Sequence, residues 1–211
     1  MSDSALTMTD SIVSANTATS AAGGICINTP ATVNLTNVTI SGNTATTLYG
    51  GGVYILGGGI ANLTNVTISG NTAPDAGGVL TAGAGMTNIL YSTIANNHKT
   101  SGTVGGVHNY ATMNIRNSIV AGNDGDECGI NGFTQPSDHP STNPLLGPLA
   151  NNGGPTQTHA LLSGSPAIDA GTNIDCPSKD QRGLSRPQGA YCDIGAYEYA
   201  IYKLFLPLLL R

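Results

Sequence analysis

A twelve-residue segment, NLTNVTISGNTA, occurs twice without a change, at Asn34–Ala45 and at Asn62–Ala73, an offset of 28 residues. Weaker copies extend the series: SIVSAN ends at Asn16, TIANN at Asn97 and SIVAGN at Asn123. The closing asparagines, Asn16, Asn43, Asn71, Asn97 and Asn123, therefore step by 27, 28, 26 and 26 residues. A second marker keeps a similar phase, a glycine pair before an aliphatic residue: Gly23-Gly24-Ile25, Gly51-Gly52-Val53, Gly77-Gly78-Val79 and Gly105-Gly106-Val107. A unit of this length cannot bury its own apolar face, so such a period specifies a solenoid whose units stack.

Strand, not helix, is the element. The apolar residues come in short alternating bursts, Val38-Thr39-Ile40-Ser41 and Val53-Tyr54-Ile55, rich in β-branched types and broken by Gly and Asn, and no stretch sustains a 3.6-residue period. At about 3.3 Å per residue one unit makes three short strands and three turns, one coil of a parallel β-helix. Leu35, Leu63, Ile89 and Ile115 should then stack inward, as should Ile40, Ile68, Ile94 and Val120. Asn43, Asn71, Asn97 and Asn123 should stand at a turn, where Asn tolerates the left-handed conformation and stacked amides bond from coil to coil. Asn34, Asn62, Asn88 and Asn114 follow the same logic, and the glycine pairs mark a tight turn. The expected fold is all-β, a right-handed parallel β-helix of about five coils over residues 1–123, right-handed by the rule for parallel crossovers.

Composition narrows the function. The 211 residues carry 7 Lys+Arg against 12 Asp+Glu, a net charge of −5, which excludes a basic nucleic-acid binder. With no Trp and 2 Phe, the core must be built from small aliphatics. The repeat resembles those of bacterial surface β-helix proteins, among them the polymorphic outer membrane protein repeats.

Charge is uneven: Asp3, Asp10, Asp75, Lys99 and Arg116 are the charged residues of 1–120, and the other fourteen follow. After a connecting loop, 124–142, come Asn143-Pro-Leu-Leu-Gly-Pro-Leu, Asn152-Gly-Gly-Pro-Thr, His159-Ala-Leu-Leu, Gly164-Ser-Pro-Ala-Ile-Asp-Ala-Gly171, Asp180-Gln-Arg-Gly183, Arg186-Pro187 and Cys192-Asp-Ile-Gly-Ala-Tyr-Glu198. In order and spacing, 143–199 resembles the choice-of-anchor Q domain that follows a β-helix in many bacterial surface and secreted proteins. Relatives often have Asp at the place of Asn143 and a second cysteine after Cys128, which here lacks that partner. The segment suits a terminal cap, with Ala167-Ile168-Asp169 and Asp193–Tyr197 as short strands adding the last rungs over exposed strand edges. An apolar tail, 200–211, follows; Leu204–Arg211 is too short to span a membrane and reads as a sorting signal or an edge strand.

Asp169, Asp180, Arg182, Arg186 and Asp193 can be read as an acid/base group or as an Arg-carboxylate network holding loops. The network is preferred, with Arg182 buried against Asp169 or Asp193, because no His stands in the motifs that carry these five residues and the resemblance implies attachment. Cys26 and Cys128 lie about four rungs, roughly 19 Å, apart, beyond disulfide reach. Cys176 and Cys192 flank the DQRG and RP loops and are the natural pair, which implies an oxidising compartment.

Asp124, Asp126 and Glu127 form the dense acidic cluster, a candidate for structural calcium against a solvated loop. No other cofactor and no catalytic residue is assigned. Asp75, Lys99 and Arg116 fall at different phases of the repeat. His108, aligned with Cys26, Tyr54 and Leu80 on the outward side, is expected to be an ordinary surface histidine. Thr39, Thr67 and Thr93 form an outward row, too incomplete for ice binding. There is no GxSxG, HExxH or P-loop motif. The expectation is an exported monomeric scaffold without a transmembrane span, extracellular or on the cell surface, its leader missing from the sequence, non-catalytic, contacting glycans or host matrix. The alternative is a fragment of a polysaccharide lyase or glycoside hydrolase with the pectin-lyase-like fold.

Overall fold

The computed structural model describes residues 4–130 and 143–200. Four of its sheets are parallel and stack one strand per coil, and the C-terminal segment adds an antiparallel pair, Leu146–Ala150 with Thr158–Leu161. The first sheet stacks Ser4–Thr9, Ala31–Thr36, Ile60–Thr64, Met86–Leu90 and Thr112–Arg116. The second stacks Ile12–Ser14, Thr39–Ser41, Thr67–Ser69, Thr93–Ala95 and Ile119–Ala121, and the fourth Ile25–Ile27, Val53–Ile55, Val79–Thr81, Val104–Asn109 and Asp126–Ile130. Between these two lies a narrow third sheet of two-residue strands, Thr17–Ala18, Thr44–Ala45, Thr72–Ala73 and His98–Lys99. The first four coils thus have four strands, and the fifth three, where periodicity predicts three throughout; the extra one is too short to show an alternation.

The inward rows stand as the repeat requires. Ile40, Ile68, Ile94 and Val120 are register neighbours on successive coils and all fully buried. Leu35, Leu63, Ile89 and Ile115 make the facing row. Val33, Val38, Val53, Val66 and Val79 fill the remaining space of one continuous core. Burying each such aliphatic side chain contributes about 1.5–3 kcal/mol.

Two turn assignments need correcting. The left-handed residue of the second turn is the one before each stacked asparagine, Gly42, Gly70, Asn96 or Gly122, while Asn43, Asn71, Asn97 and Asn123 do not adopt positive φ. Asparagine stands there for its amide. The backbone N–H and Nδ2 of Asn43 both donate to Asn71 Oδ1, each at 2.9 Å; Asn71 donates likewise to Asn97, and Asn97 to Asn123. Each Nδ2 also donates to a strand carbonyl one coil back, as Asn71 does to Ile40 at 3.0 Å. The glycine column answers to crowding between coils as well: a Cβ on Gly24 would lie 2.5 Å from the carbonyl oxygen of Gly52, a contact real side chains do not make.

The C-terminal segment lies along the solenoid's flank, where a cap over its end was expected. Ala167–Asp169 and Asp193–Tyr197 form turns and add no rungs. The outward side of the second sheet is what the segment covers. Thr67 Oγ1 donates to Gln181 Oε1 at 2.6 Å, and Gln181 Nε2 donates to Thr39 Oγ1 at 3.0 Å, so one side chain ties two coils. Thr93 Oγ1 accepts from Ala196 N, and Gly195 N donates to Asn117 O. Outward Ile119 packs with Leu161, Ala167 and Ile194 in a second small core. The Thr row is therefore buried under the segment, and Ile119 at its end, which makes the row useless to ice, is an apolar anchor. The first three residues, the stretch 131–142 and the tail from Ile201 lie outside the described residues, and with them most of the connecting loop and the proposed sorting signal.

Asn71→Ala removes the acceptor of two buried donors, and each orphaned donor costs about 1–3 kcal/mol. Asn88→Ala cuts the part-buried amide row of the first sheet, whose links are single amide bonds, and is expected to cost about 1 kcal/mol, less than Asn71→Ala. Urea unfolding of the two variants checks this ordering.

Candidate functional site

Ionisable groups gather in three places. In the flanking segment Arg186 is fully buried and paired with Glu198, Nη1 to Oε2 at 3.0 Å, and it donates to the carbonyls of Asp193 and Gly195. Its guanidinium lies 4.9 Å from the centroid of the Tyr91 ring. Burial pulls the Arg186 guanidinium below the usual arginine range, against the opposing pull of Glu198, Asp180 and Asp193. Arg182 does not meet Asp169 or Asp193, as the sequence suggests. Its Nε and Nη2 grip Asp180 at 2.9 and 2.7 Å, Nη2 also donates to Glu198 O at 2.6 Å, and Cζ lies 3.5 Å above the Tyr197 ring. The guanidinium closes the loop that carries it, two residues from its partner, so local geometry prevailed over the longer reach.

Asp169 and Asp193 serve the backbone. Asp193 Oδ1 accepts from Asp169 N at 2.7 Å, its Oδ2 from Tyr199 N, and Asp169 Oδ1 accepts from Tyr191 N at 3.1 Å. Burial raises the Asp193 carboxyl to about 6, in spite of those two donors. Cys176 and Cys192 are bridged, closing a loop with a separation of 16, while Cys26 and Cys128 are free. His159 is sealed between the segment and the solenoid: Nδ1 lies 2.7 Å from Gly147 O and Nε2 2.9 Å from Ser69 Oγ. A carbonyl only accepts, so Nδ1 carries the hydrogen and Nε2 accepts from the serine. The ring is neutral, and burial lowers its pKa.

The acidic cluster after the last asparagine is divided among separate tasks. Glu127 ends the amide file: its carboxylate takes the N–H of Asn123 at 3.2 Å and the Nδ2 at 2.6 Å. Asp124 faces His98 Nδ1 at 2.9 Å on an exposed surface, and Asp126 joins the fourth sheet in register with Val104. Among the described residues no three His, Cys, Asp or Glu side chains gather as a metal site would require.

The third place is an outer face. Cys26, Tyr54, Leu80 and His108 are register neighbours on the outward side of the fourth sheet. His108 is no free surface histidine: it is 8% exposed, and its Nδ1 donates to Asp75 Oδ2 at 2.7 Å. Asp75 Oδ1 accepts from Val104 N at 3.1 Å. Phase counting places Asp75 away from Lys99 and Arg116 and gives it no partner. It stands in a turn and reaches forward one coil to a strand residue, so the pair has no shared phase to reveal it. Tyr110 stacks on His108 with ring centroids 4.1 Å apart, and Tyr49 approaches Tyr54 at 6.3 Å.

The family described as right handed beta helix region matches residues 2–140, and the chain belongs to it. Neither a curated protein nor a solved structure matches the chain.

Arg186→Ala leaves Glu198 charged and buried without its partner, a loss on the order of 3–5 kcal/mol in thermal or urea unfolding. Arg182→Ala should cost less, because Asp180 keeps backbone donors from Arg182, Leu184 and Glu198. The pH dependence follows from His159. Its folded pKa lies below the unfolded value of about 6.5, so its contribution is complete above that pH and declines as pH falls through the interval, by at most about 1.4 kcal/mol per pH unit. Asp193 acts oppositely: its folded pKa of about 6 exceeds the ordinary 3.8, so its burial penalty is relieved as pH drops between the two. Denaturation at pH 7 and pH 5 should show His159→Gln losing less stability on acidification than the parent.

Proposed function

We propose that this β-helix is an exported bacterial scaffold, displayed at the cell surface or secreted, that contacts glycans in adhesion and performs no catalysis. The observation that carries the reading is the distribution of its side chains. The acids and bases of the flanking segment are spent on pairs and loop N–H groups, while the outer side of the fourth sheet carries clustered tyrosines, of which Tyr49 and Tyr110 are exposed. The Cys176–Cys192 bridge supports export, since structural disulfides belong to oxidising compartments. The choice-of-anchor-Q-like segment then serves attachment, and its docking along four coils gives the scaffold lateral stiffness.

The enzymatic alternative, a lyase or hydrolase with the pectin-lyase-like fold, draws on the Asp75–His108 pair. That pair is one carboxylate and one imidazole, and the carboxylate is already committed, Oδ2 to His108 and Oδ1 to Val104 N. Incubating the chain with a panel of immobilised glycans and following both retention and the release of reducing ends or unsaturated products separates the two. The scaffold reading expects retention with no new chain ends; product release at catalytic turnover contradicts it.

A further inference from the structure

The outer face of the fourth sheet carries aromatic rings, where that of the first carries an asparagine row flanked by residues such as Ile60, Leu90 and Arg116. Its outward row runs Cys26, Tyr54, Leu80, His108, one residue per coil, and two adjoining positions add Tyr49 and Tyr110. Leu80 faces outward yet is only 1% exposed, so its neighbours close over it, whereas Tyr49 and Tyr110 remain 41% and 46% exposed. Tyr54 and His108 are two coils apart, roughly 10 Å. The result is a strip parallel to the coil axis with an aromatic group at each end, whose exposed rings are Tyr49 and Tyr110.

Charge and area select the ligand. The carboxylate beside this strip is Asp75, held by His108 Nδ1 at 2.7 Å. An anionic chain would meet the Asp75 carboxylate, and a cationic one would compete with His108 for it. Area argues against a protein partner, because three rings of about 150–250 Å² each, partly covered already, fall short of the roughly 800 Å² a stable protein interface buries per side. Tyrosine offers a rigid apolar face with a hydroxyl at its tip, the complement of a pyranose ring, which has an apolar C–H face and a rim of hydroxyls. The Asp75–His108 pair fixes the imidazole that supports Tyr110, so the platform is ordered before binding.

We propose that this strip is a binding site for an uncharged pyranose chain lying along the coil axis, with Tyr49, Tyr54 and Tyr110 as its stacking residues. The proposal rests on the glycan-contact reading and gives it a place and a ligand class. The test is titration of the full chain with neutral gluco-, manno- and xylo-oligosaccharides and with anionic oligogalacturonate, read by calorimetry and by tyrosine emission, which no tryptophan obscures. A neutral oligosaccharide is expected to bind, with affinity lowered on the order of tenfold or more by Tyr49→Ala or Tyr110→Ala, largely kept by Tyr110→Phe, and unchanged by Asn88→Ala on the first sheet. Thermal unfolding of each variant checks that the coil stack persists. Glycan binding that survives both alanine variants overturns the site and leaves the glycan reading standing. Binding of oligogalacturonate alone overturns the ligand class. A complete absence of saccharide binding overturns both, and a dimer abolished by Tyr49→Ala would replace the saccharide with a second copy of the chain.

Discussion

The file of stacked asparagines is the interaction on which the coil stack turns. At this corner the backbone leaves the sheet ladder, and the N–H of Asn43, Asn71 and Asn97 would be buried without a backbone acceptor. Each amide oxygen supplies that acceptor and takes a second hydrogen from the neighbouring Nδ2, while each Nδ2 also satisfies a strand carbonyl. A buried polar group left unpaired costs more than a made hydrogen bond returns, so the file matters chiefly for what it prevents. Along the file itself every N–H and Nδ2 donates forward to the next amide oxygen, while each Nδ2 also reaches one coil back to a strand carbonyl. The last coil has no further asparagine to receive them, and the carboxylate of Glu127 closes the series with a charged acceptor.

Stacked coils contact only their neighbours, so a solenoid alone is stiff locally and weakly coupled over distance. The flanking segment changes that coupling. Gln181 bridges two coils, His159 is bonded to a third-coil serine and Gly147, and Ala196 and Gly195 reach the last two. Its own polar interior, Asp180 with Arg182 and Arg186 with Glu198, holds the turns rigid enough to present those groups together. The polar outward row of the second sheet then becomes an internal interface, and the fourth sheet is left as the face with aromatic side chains open to water.

The repeat made the coils legible because period and register are the same information: once Asn43 aligns with Asn71, Ile40 must align with Ile68. Cys176–Cys192 was legible from the loops those residues flank. The flank was not legible, because a row reading Thr, Thr, Thr, Ile looks like solvent surface until the segment that covers it is known. Arg182 and Arg186 carry the same charge among the same carboxylates, and only the folded turns decide that one takes Asp180 and the other Glu198. His108 and Asp75 stood in plain sight, yet 33 residues is neither one coil nor two, and a turn residue reaching across a coil has no periodic signature.

Amide hydrogen exchange followed residue by residue tests the central claim most directly. If the asparagine file satisfies the corner, the backbone N–H groups of Asn43, Asn71 and Asn97 exchange as slowly as those of the inward strand residues Ile40, Ile68 and Ile94, although none of the three donates to a backbone carbonyl. Exchange of these asparagine amides at rates typical of exposed turns, with the strand amides still protected, would contradict the account.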